Sequence, residues 1–289
     1  MADGVLIIDK PADWTSHDVV AKLRGILHQR RIGHAGTLDP MATGVLPVFV
    51  GRATRAVEFA AEREKEYVAR LRLGVTTNTQ DITGTVLAQA PVTVGRAEVE
   101  AALAAFRGEI LQVPPMWSAV KHKGRKLYEL ARRGQEVERA PRPITIYALD
   151  LVEQTGPADY TLRVLCSKGT YVRTLCHDLG QALGCGGTLS ALRRTRSAGF
   201  GLADALTLEQ VQAAPDPLAL LRPVDGCFAD RPALTLDDPA LEQRIRNGCA
   251  VPTAAPDGVY RVYGPEQRFL SLSRAEQGTL TIIKSFFEV

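Results

Sequence analysis

Strand-like and helix-like patterns share this chain without alternating one for one. Residues 65–73 alternate apolar and polar side chains, as a half-buried strand does. Two similar runs, 143–153 and 160–166, flank a turn signal at Gly156-Pro157 and read as neighbouring strands. This mixture predicts an α+β fold on a mixed, largely antiparallel sheet, rather than a Rossmann-like repeat of strand and helix.

Helix signals fall between the predicted strands. Thr15 and Asp18 have the spacing of a capping box, and apolar residues follow them at helical intervals. A second amphipathic helix is expected after Gly169, and Gly184 ends it. Further helices are expected over 96–107 and 125–133. These helices supply the second layer of the expected α+β fold.

The chain is long enough for a large domain and a small appendage. It has 289 residues, 45% of them hydrophobic, which is ample for a real core. Its composition changes near 215–217 and again near 230–232, where a linker is expected. We therefore expect a main domain at 1–228 and a small domain at 229–289. Short strand signals after position 258 predict that the small domain is β-rich.

Membrane, secreted and zinc-binding classes are disfavoured by the sequence. No stretch approaches the apolar length of a membrane span, and the first residues lack the pattern of a signal peptide. The five cysteines are widely spaced, odd in number and without a Cys-x-x-Cys pair. This spacing argues against a disulfide framework or a zinc site. A cytoplasmic protein without a metal is expected.

Basic residues are concentrated although the net charge is only +3. The basic segment, residues 121–142, has eight Lys or Arg and three Glu, a local charge of +5 that leaves about −2 for the rest. Smaller arginine clusters lie at Arg30-Arg31 and within 193–196. Each cluster could be an ordinary solvated face. Their combination beside a candidate site favours contact with nucleic-acid phosphates.

The segment His34-Ala-Gly-Thr-Leu-Asp39-Pro-Met-Ala-Thr-Gly44 sets one carboxylate in a loop of small residues. Pro40 disfavours an α conformation at Asp39, and the glycines let the backbone turn tightly and admit a ligand. Such a loop can present Asp39 as a nucleophile. The same residues also fit a cap, in which Asp39 precedes a short helix that begins at Pro40. The loop alone does not decide between these interpretations.

This loop, extended to Gly33 and Leu46, resembles the catalytic motif of the TruB family of tRNA pseudouridine synthases. Three further blocks agree with the family, and all four occur in its order over roughly the first two hundred residues. The three blocks are Asp9-Lys10-Pro11 with Trp14-Thr15-Ser16, then Lys65-Glu66-Tyr67, and finally Ser167 to Arg173 with Leu192-Arg193-Arg194 downstream. Four ordered blocks in one chain make coincidence very improbable.

The resemblance implies isomerisation of one uridine in the T arm of tRNA, in which the base is detached, turned and rejoined through carbon. It implies a catalytic domain of pseudouridine synthase type with Asp39 as the essential group. It implies no metal or organic cofactor. We also expect a monomer without an obligatory protein partner. The small domain at 229–289 occupies the position of the PUA-type RNA-binding domain that ends many family members.

Asp39 needs a cationic partner if it is to stay ionised near a stacked base, because desolvation raises the pKa of a carboxyl group. Arg173 is the candidate. It falls in the first turn of its predicted helix, where the helix dipole disfavours a cation, and an acidic partner would remove that conflict. In the family the matching arginine pairs with the catalytic aspartate. The predicted catalytic residues are therefore Asp39, Arg173 and Tyr67.

A uridine in a folded tRNA arm must be turned out of its stack before it can react, and aromatic rings can hold it. The candidates are Tyr67 and Tyr171, although tyrosines at such positions commonly close the edge of a core. The resemblance adds His34, expected to fill the space left by the flipped base or to touch the bases. The predicted substrate-binding residues are His34, Tyr67, Tyr171, Leu192, Lys10 and Thr37.

Two other functions remain open at this point. A non-catalytic RNA-binding or RNA-folding protein could use the same basic surfaces, with Asp39 only a cap. A dyskerin-like enzyme could perform the same chemistry with a guide RNA and partner proteins. The long stretch between Gly74 and Pro143 favours an enzyme that grips tRNA by itself.

Overall fold

The computed structural model describes residues 2–287. Its α-helices are α1 (Ser16–Leu27), α2 (Val57–Glu62), α3 (Arg96–Leu103), α4 (Leu127–Ala131), α5 (Val172–Ala182), α6 (Leu208–Ala213) and α7 (Pro239–Arg246). Its first strands are β1 (Gly4–Lys10), β2 (Ile32–His34), β3 (Thr43–Val50), β4 (Lys65–Leu73), β5 (Val75–Thr77), β6 (Val86–Gln89), β7 (Gly108–Gln112), β8 (Lys121–His122) and β9 (Arg125–Lys126). The later strands are β10 (Arg142–Gln154), β11 (Asp159–Cys166), β12 (Gly187–Ser197), β13 (Phe200–Gly201), β14 (Ala233–Thr235), β15 (Val251–Pro252), β16 (Gly258–Tyr263), β17 (Phe269–Glu276) and β18 (Thr279–Ser285).

A mixed, largely antiparallel sheet forms the main body of the described chain. Seven strands run in the order β1-β3-β12-β4-β11-β10-β7, with β2 paired to β3 and β13 to β12. All neighbours are antiparallel except β12 and β3, which meet in parallel at Arg193 and Thr43. The predicted neighbours β10 and β11 pair antiparallel, with Leu149 opposite Val164. The α+β prediction is confirmed.

Helices cover the sheet where its strands carry buried apolar rows. Leu71 of β4 and Leu162 of β11 share a buried cluster with Leu175 and Leu179 of α5. The period-2 alternation of β4 supplies one side of this cluster and the 3.6-residue period of α5 supplies the other. Near β1 and β3, helices α1 and α6 bury a second cluster that includes Leu23. These two buried clusters fix the helices against the part of the sheet that carries the candidate site.

Local signals located most helices correctly. Thr15 caps α1, its hydroxyl accepting from the Asp18 backbone N–H while the Asp18 carboxylate accepts from the Thr15 backbone N–H. Helix α4 is shorter than predicted, because 121–126 instead form a two-stranded hairpin that turns at Gly124, where φ is +84°. Helix α3 tightens into a 3₁₀ turn over 104–106. The alternative interpretation, in which a helix begins at Pro40, is wrong, since Pro40 and Met41 form only a turn.

The last part of the described chain folds as a second sheet, in the order β14-β16-β17-β18-β15, with helix α7 beside it. It has its own buried cluster, which includes Ile245, Val262 and Leu270. Phe228 joins this unit to the main body, with its ring centroid 5.8 Å from that of Phe286. The predicted β-rich C-terminal unit is therefore present.

No helix within residues 2–287 is long and apolar enough to cross a membrane. Four of the cysteines are buried as free thiols and Cys249 is exposed. The same residues contain no group of three or more His, Cys, Asp or Glu side chains that could hold a metal ion.

Candidate active site

The Asp39 loop is tied to the start of α1. The Ser16 hydroxyl accepts from the Leu38 backbone N–H at 2.9 Å, and the backbone N–H of Asp13 donates to the Pro40 carbonyl at 2.8 Å. The backbone N–H of Ala42 donates to the Asp39 carbonyl at 3.0 Å. These contacts fix the loop without using the Asp39 carboxylate, which is left available for other partners.

Lys10 lies beneath this loop, not on its open side. Its side chain is fully buried, and the ammonium donates to the carbonyls of Pro11, Trp14 and Pro40 at 2.8, 2.6 and 3.1 Å. All three donors of the ammonium are used. Burial lowers the pKa of Lys10 to about 8. The predicted substrate contact at Lys10 is therefore corrected: the side chain ties the loop to the end of β1.

Arg194 also supports the loop from below. The fully buried guanidinium donates from Nε to the Val45 carbonyl at 2.7 Å and from Nη2 to the Gly36 carbonyl at 2.9 Å. The Arg194 carbonyl lies so close to Gly44 that an added Cβ would meet it at 2.2 Å, and Gly44 has a φ of +101°. The prediction that Arg194 contacts phosphate is wrong, because its guanidinium is buried. Its neighbour Arg193 is held by Asp9 at 2.7 Å.

Asp39 and Arg173 form the predicted ion pair. Arg173 Nε lies 2.8 Å from Asp39 Oδ2, and Nη2 lies 3.4 Å from Oδ1. The arginine side chain is only 5% exposed, whereas the aspartate side chain is 38% exposed. The guanidinium therefore holds one side of the carboxylate and leaves the other side open to a ligand.

The rest of the Arg173 guanidinium is held by the backbone and by a second aspartate. Nη1 donates to the Thr79 carbonyl at 2.8 Å, and Nη2 donates to the Trp117 carbonyl at 2.9 Å. Nη1 also lies 3.5 Å from Oδ2 of Asp81. The other carboxylate oxygen of Asp81 accepts from the hydroxyls of Thr79 and Thr83. This network fixes Arg173 before any substrate binds.

Sequence reasoning missed Asp81 and Trp117. The string Thr79-Gln-Asp81-Ile-Thr83 carried a usable signal, because an aspartate flanked by threonines two positions away is typical of a self-bonded turn. Nothing in the local sequence linked that turn to Arg173, which is 94 positions away from Thr79. For Trp117, the contact is made by the backbone carbonyl, which residue type does not reveal.

The charges around Asp39 pull its pKa in opposite directions. Burial raises the pKa of Asp39 above its ordinary value and is the largest effect, the Arg173 guanidinium lowers it, and the Asp81 carboxylate raises it again. A carboxylate with a raised pKa binds a proton more readily than an ordinary aspartate, so it is a better base. Arg173 limits that rise and favours the ionised form.

Tyr67 and Leu192 form the wall next to the loop. Both side chains are buried and belong to the same cluster as Leu38 and Ala42 of the loop. Burial raises the pKa of the Tyr67 phenol, so this hydroxyl stays protonated. Tyr171 is half-buried at the start of α5, and burial raises the pKa of its phenol as well. The structure thus brings the predicted aromatic residues to the loop from two different elements.

His34 and Thr37 lie at the rim of the loop. The His34 ring meets His17 edge to face, with centroids 5.3 Å apart. Burial lowers the pKa of His34 to about 4, and its Nδ1 atom has no hydrogen-bond partner within residues 2–287. His34 is therefore neutral near pH 7, which suits contact with a base rather than a phosphate. Thr37 is exposed.

Comparison with known proteins identifies the class. The profile of the TruB family pseudouridylate synthase N-terminal domain matches residues 24–172, and that of the tRNA pseudouridylate synthase B C-terminal domain matches 173–228. A solved structure described as a Cbf5-Nop10-Gar1 complex superposes with a TM-score of 0.75 at 28% identity, covering 98% of this chain and 85% of that one. An H/ACA RNP bound to a substrate RNA containing 2'-deoxyuridine gives a TM-score of 0.73 at 25% identity, covering 99% and 85%. The family profiles and the fold are those of a pseudouridine synthase.

Curated relatives narrow the class to one family. The three relatives described next are all named tRNA pseudouridine synthase B. The protein of Clostridium kluyveri is 41% identical over 98% of this chain and 99% of its own length. That of Burkholderia mallei is 46% identical over 96% and 95%, and that of Aromatoleum aromaticum is 45% identical over 97% and 92%. The chain belongs to the TruB family.

Proposed function

We propose that this protein isomerises a specific uridine in the T-arm stem-loop of tRNA to pseudouridine. It acts in the cytoplasm as a monomer, without a guide RNA or an obligatory protein partner. The observation that carries the proposal is the Asp39 carboxylate, which faces an open rim on one side and is held by Arg173 on the other. The curated relatives that are 41–46% identical support tRNA as the substrate.

The site offers one open carboxylate, and this suits an isomerase better than a hydrolase. Hydrolysis of a glycosidic bond normally uses two carboxyl groups, one as acid and one as nucleophile or base. In the isomerisation, the bond from ribose C1′ to N1 of uracil breaks and a bond from C1′ to C5 forms. The proton on C5 leaves and N1 gains one, so the atoms balance without water.

Asp39 is the group that starts this exchange. It attacks the sugar or the base, or it removes a sugar proton. The detached uracil carries its own negative charge and must be retained for recapture. A site closed by Tyr67, Leu192 and the loop would hold it there, because a stacked base gains on the order of 1 to 3 kcal/mol from an aromatic face.

The target uridine must leave its stack before Asp39 can reach it. We assign Tyr67 to hold the flipped base and Tyr171 to close its other side. His34 would contact or replace the bases from which the uridine departs, with Thr37 beside it. Lys10 is left out of this set, because its ammonium is already engaged with three backbone carbonyls.

The basic segment, residues 121–142, is proposed to grip the phosphates of the T arm. Its hairpin β8–β9 and helix α4 enclose a small apolar core of Met116, Leu127 and Leu130, so the charges are displayed on a folded unit. Trp117, which precedes the basic segment and packs against this apolar core, accepts a hydrogen bond from Arg173 through its carbonyl and so links the unit to the site. Phosphate contact supplies affinity, and the site supplies the chemistry.

We also propose a boundary between a catalytic domain at 1–228 and a PUA-like RNA-binding domain at 229–289. The five-stranded sheet β14 to β18 and its separate apolar cluster support this division. Deletion of 229–289 should weaken tRNA binding and leave the turnover of bound substrate largely intact. Loss of folding in the remaining chain would count against this boundary.

Guide-dependent action is the alternative that a structural likeness favours, since one neighbour is described as an H/ACA RNP. That likeness comes with 25% identity, against 41–46% for the relatives named tRNA pseudouridine synthase B. We therefore place guide-independent action first. Formation of pseudouridine by the lone polypeptide on an unguided stem-loop would decide between the two.

One experiment tests the reaction, the substrate and the role of Asp39 together. The pure protein is incubated with an unmodified T-arm stem-loop, and the RNA is digested for nucleoside analysis. We expect pseudouridine with wild type and none with Asp39→Asn. Asp216→Asn is the matched control, because Asp216 is an exposed cap where asparagine serves as well. Binding without product in the wild type would leave only the non-catalytic RNA-binding function.

A further inference from the structure

Gln112 uses both the nitrogen and the oxygen of its side-chain amide on one backbone unit. It is the last residue of β7 and only 3% exposed. Its Nε2 donates to the Tyr171 carbonyl at 3.1 Å, and its Oε1 accepts from the Tyr171 backbone N–H at 2.8 Å. A buried amide that makes this two-point contact fixes both the distance and the orientation of the backbone it binds.

The backbone unit that Gln112 holds is the start of the helix that carries Arg173. Tyr171 is the N-cap of α5, and its carbonyl also accepts from the Leu175 N–H at 3.0 Å. Arg173 follows two residues later and reaches back to Asp39. A displacement of the N-cap would therefore be passed to the ion pair, whose second contact, Nη2 to Oδ1, is already long at 3.4 Å.

Gln112 is also the residue at which a long connection leaves the main sheet. The register pairs Gln112 with Arg142, so the connection over 113–141 leaves and re-enters the sheet at one rung. Early in this connection the Trp117 carbonyl accepts from Arg173 at 2.9 Å. Residues 112 and 117 therefore hold the start of α5 and its arginine at two separate points.

We propose that Gln112 is a positioning residue for the proposed reaction: it sets the start of α5 so that Arg173 meets the Asp39 carboxylate in register. The inference rests on the proposed function and deepens it. Gln112 itself touches no substrate and acts through Tyr171 and Arg173. Its loss lowers the rate of the chemical step and leaves the RNA-binding surfaces in place.

The effect should also change the pH dependence, because Arg173 opposes the raised pKa of Asp39. If α5 shifts, the guanidinium moves away and the pKa of Asp39 rises further. Charged and titratable groups from several elements influence the pKa of Asp39, or have a pKa that the Asp39 charge influences. They are Lys10 of β1, Tyr67 of β4, Asp81 of the 78–84 turn, and Tyr171 and Arg173 of the α5 start. Among these, Gln112 contacts only Tyr171, so its removal reports on the α5 start.

The test compares Gln112→Met with wild type. Methionine has a similar length and no amide, so it fills the space and removes both hydrogen bonds. In single-turnover assays on the T-arm stem-loop we expect a rate roughly 10- to 100-fold lower, the scale of a small misplacement of reacting groups. The dissociation constant for the RNA should change by less than about twofold, and the acid limb of the pH profile should move to higher pH.

Two further variants keep the test decisive. Leu111→Ala alters the neighbouring residue on the same strand, whose side chain is 71% exposed, and should retain wild-type rate and pH profile. Gln112→Glu keeps the acceptor for the Tyr171 N–H and loses the donor, so it carries the test if the methionine variant does not fold. We expect it to bind RNA normally and to react more slowly than wild type.

The outcomes separate this inference from the function on which it rests. A wild type that makes no pseudouridine overturns the proposed function itself. If the wild type is active and a folded Gln112 variant has the same single-turnover rate and the same acid limb of the pH profile, only the role of Gln112 is overturned. Equal losses of rate in Leu111→Ala and Gln112→Met would mean that the effect comes from disturbing the strand. That result would also overturn the role of Gln112.

Discussion

Arg173 Nε lies 2.8 Å from Oδ2 of Asp39, although 134 positions separate these residues in the chain. The guanidinium is bound at every nitrogen, to the Thr79 and Trp117 carbonyls as well as to the carboxylate. Such a buried cation cannot follow the substrate, because each of its donors is committed. The carboxylate is the more exposed partner, so the pair has a fixed side and a reacting side.

Replacing Arg173 should change the pH dependence as well as the rate. Asp39 must be ionised to react, so activity rises as pH increases through its pKa. The Arg173 charge lowers that pKa, and its removal in Arg173→Met therefore moves the acid limb to higher pH. We expect a single-turnover rate about 100-fold lower or more, the usual cost of losing one preorganised electrostatic group. Arg163→Met, which removes the ion pair between a half-exposed arginine and Glu66, is the control.

Replacing Asp81 should move the acid limb in the opposite direction. The Asp81 charge raises the pKa of Asp39, so Asp81→Asn lowers that pKa and extends activity to lower pH. The rate at neutral pH should still fall by about 10- to 100-fold, because Asp81 helps to hold Arg173 in place and a small misplacement of a catalytic group can cost about 100-fold. Asp159→Asn, which loosens a partly exposed pair with Arg72, should leave the rate unchanged. Acid limbs that move the same way in Arg173→Met and Asp81→Asn would contradict this electrostatic account.

The sequence predicted what local chemistry encodes. The capping box at Thr15 and the alternation over 65–73 each depend on a few adjacent residues, and both were confirmed. The ion pair was predicted from two signals: a cation in the first turn of a helix favours an acidic partner, and the family resemblance pointed to Asp39 as that partner. The burial of Lys10 and Arg194 was not predicted, since exposed and buried cations look alike in a sequence. Only the packing of the loop over β1 and β12 shows which carbonyls they serve.

Lys10→Met tests the corrected role of Lys10. The three backbone carbonyls would lose their donor, so we expect the free energy of unfolding at pH 7 to fall on the order of 3 kcal/mol. RNA affinity of the folded fraction should not change. A large loss of affinity with normal stability would restore Lys10 as a substrate contact. Urea unfolding and filter binding measure the two quantities separately.

The lowered pKa of Lys10 predicts that the stability of the protein depends on pH. The pKa of Lys10 is lowered from 10.5 to about 8 in the folded state, so between these values the unfolded state binds more protons than the folded one. Its contribution to stability therefore increases as pH rises from about 8 to 10.5. The stability difference between wild type and Lys10→Met should grow over this range. A difference that stays flat would mean that the Lys10 ammonium is not desolvated.

His34→Ala should lower activity without abolishing it. His34 contacts bases in the proposed function, and stacking of this kind contributes on the order of 1 to 3 kcal/mol, so a loss of about 10-fold is expected. Because burial lowers the pKa of His34 to about 4, the ratio of wild-type to variant rate should stay constant from pH 6 to 8. Inactivity equal to that of Asp39→Ala would show that His34 has a direct catalytic role.

Salt dependence tests the basic segment. Each phosphate neutralised by Lys or Arg contributes to the slope of log affinity against log salt concentration, so loss of one contact should reduce the slope by about one unit or less. Lys121→Ala, Lys123→Ala and Arg125→Ala are the first variants, because their side chains lie on the exposed β8–β9 hairpin. Arg222→Gln is the control, since Arg222 pairs with Asp204 away from the hairpin. If the triple variant keeps the wild-type slope, these charges face solvent, and the grip on the T arm must come from another surface.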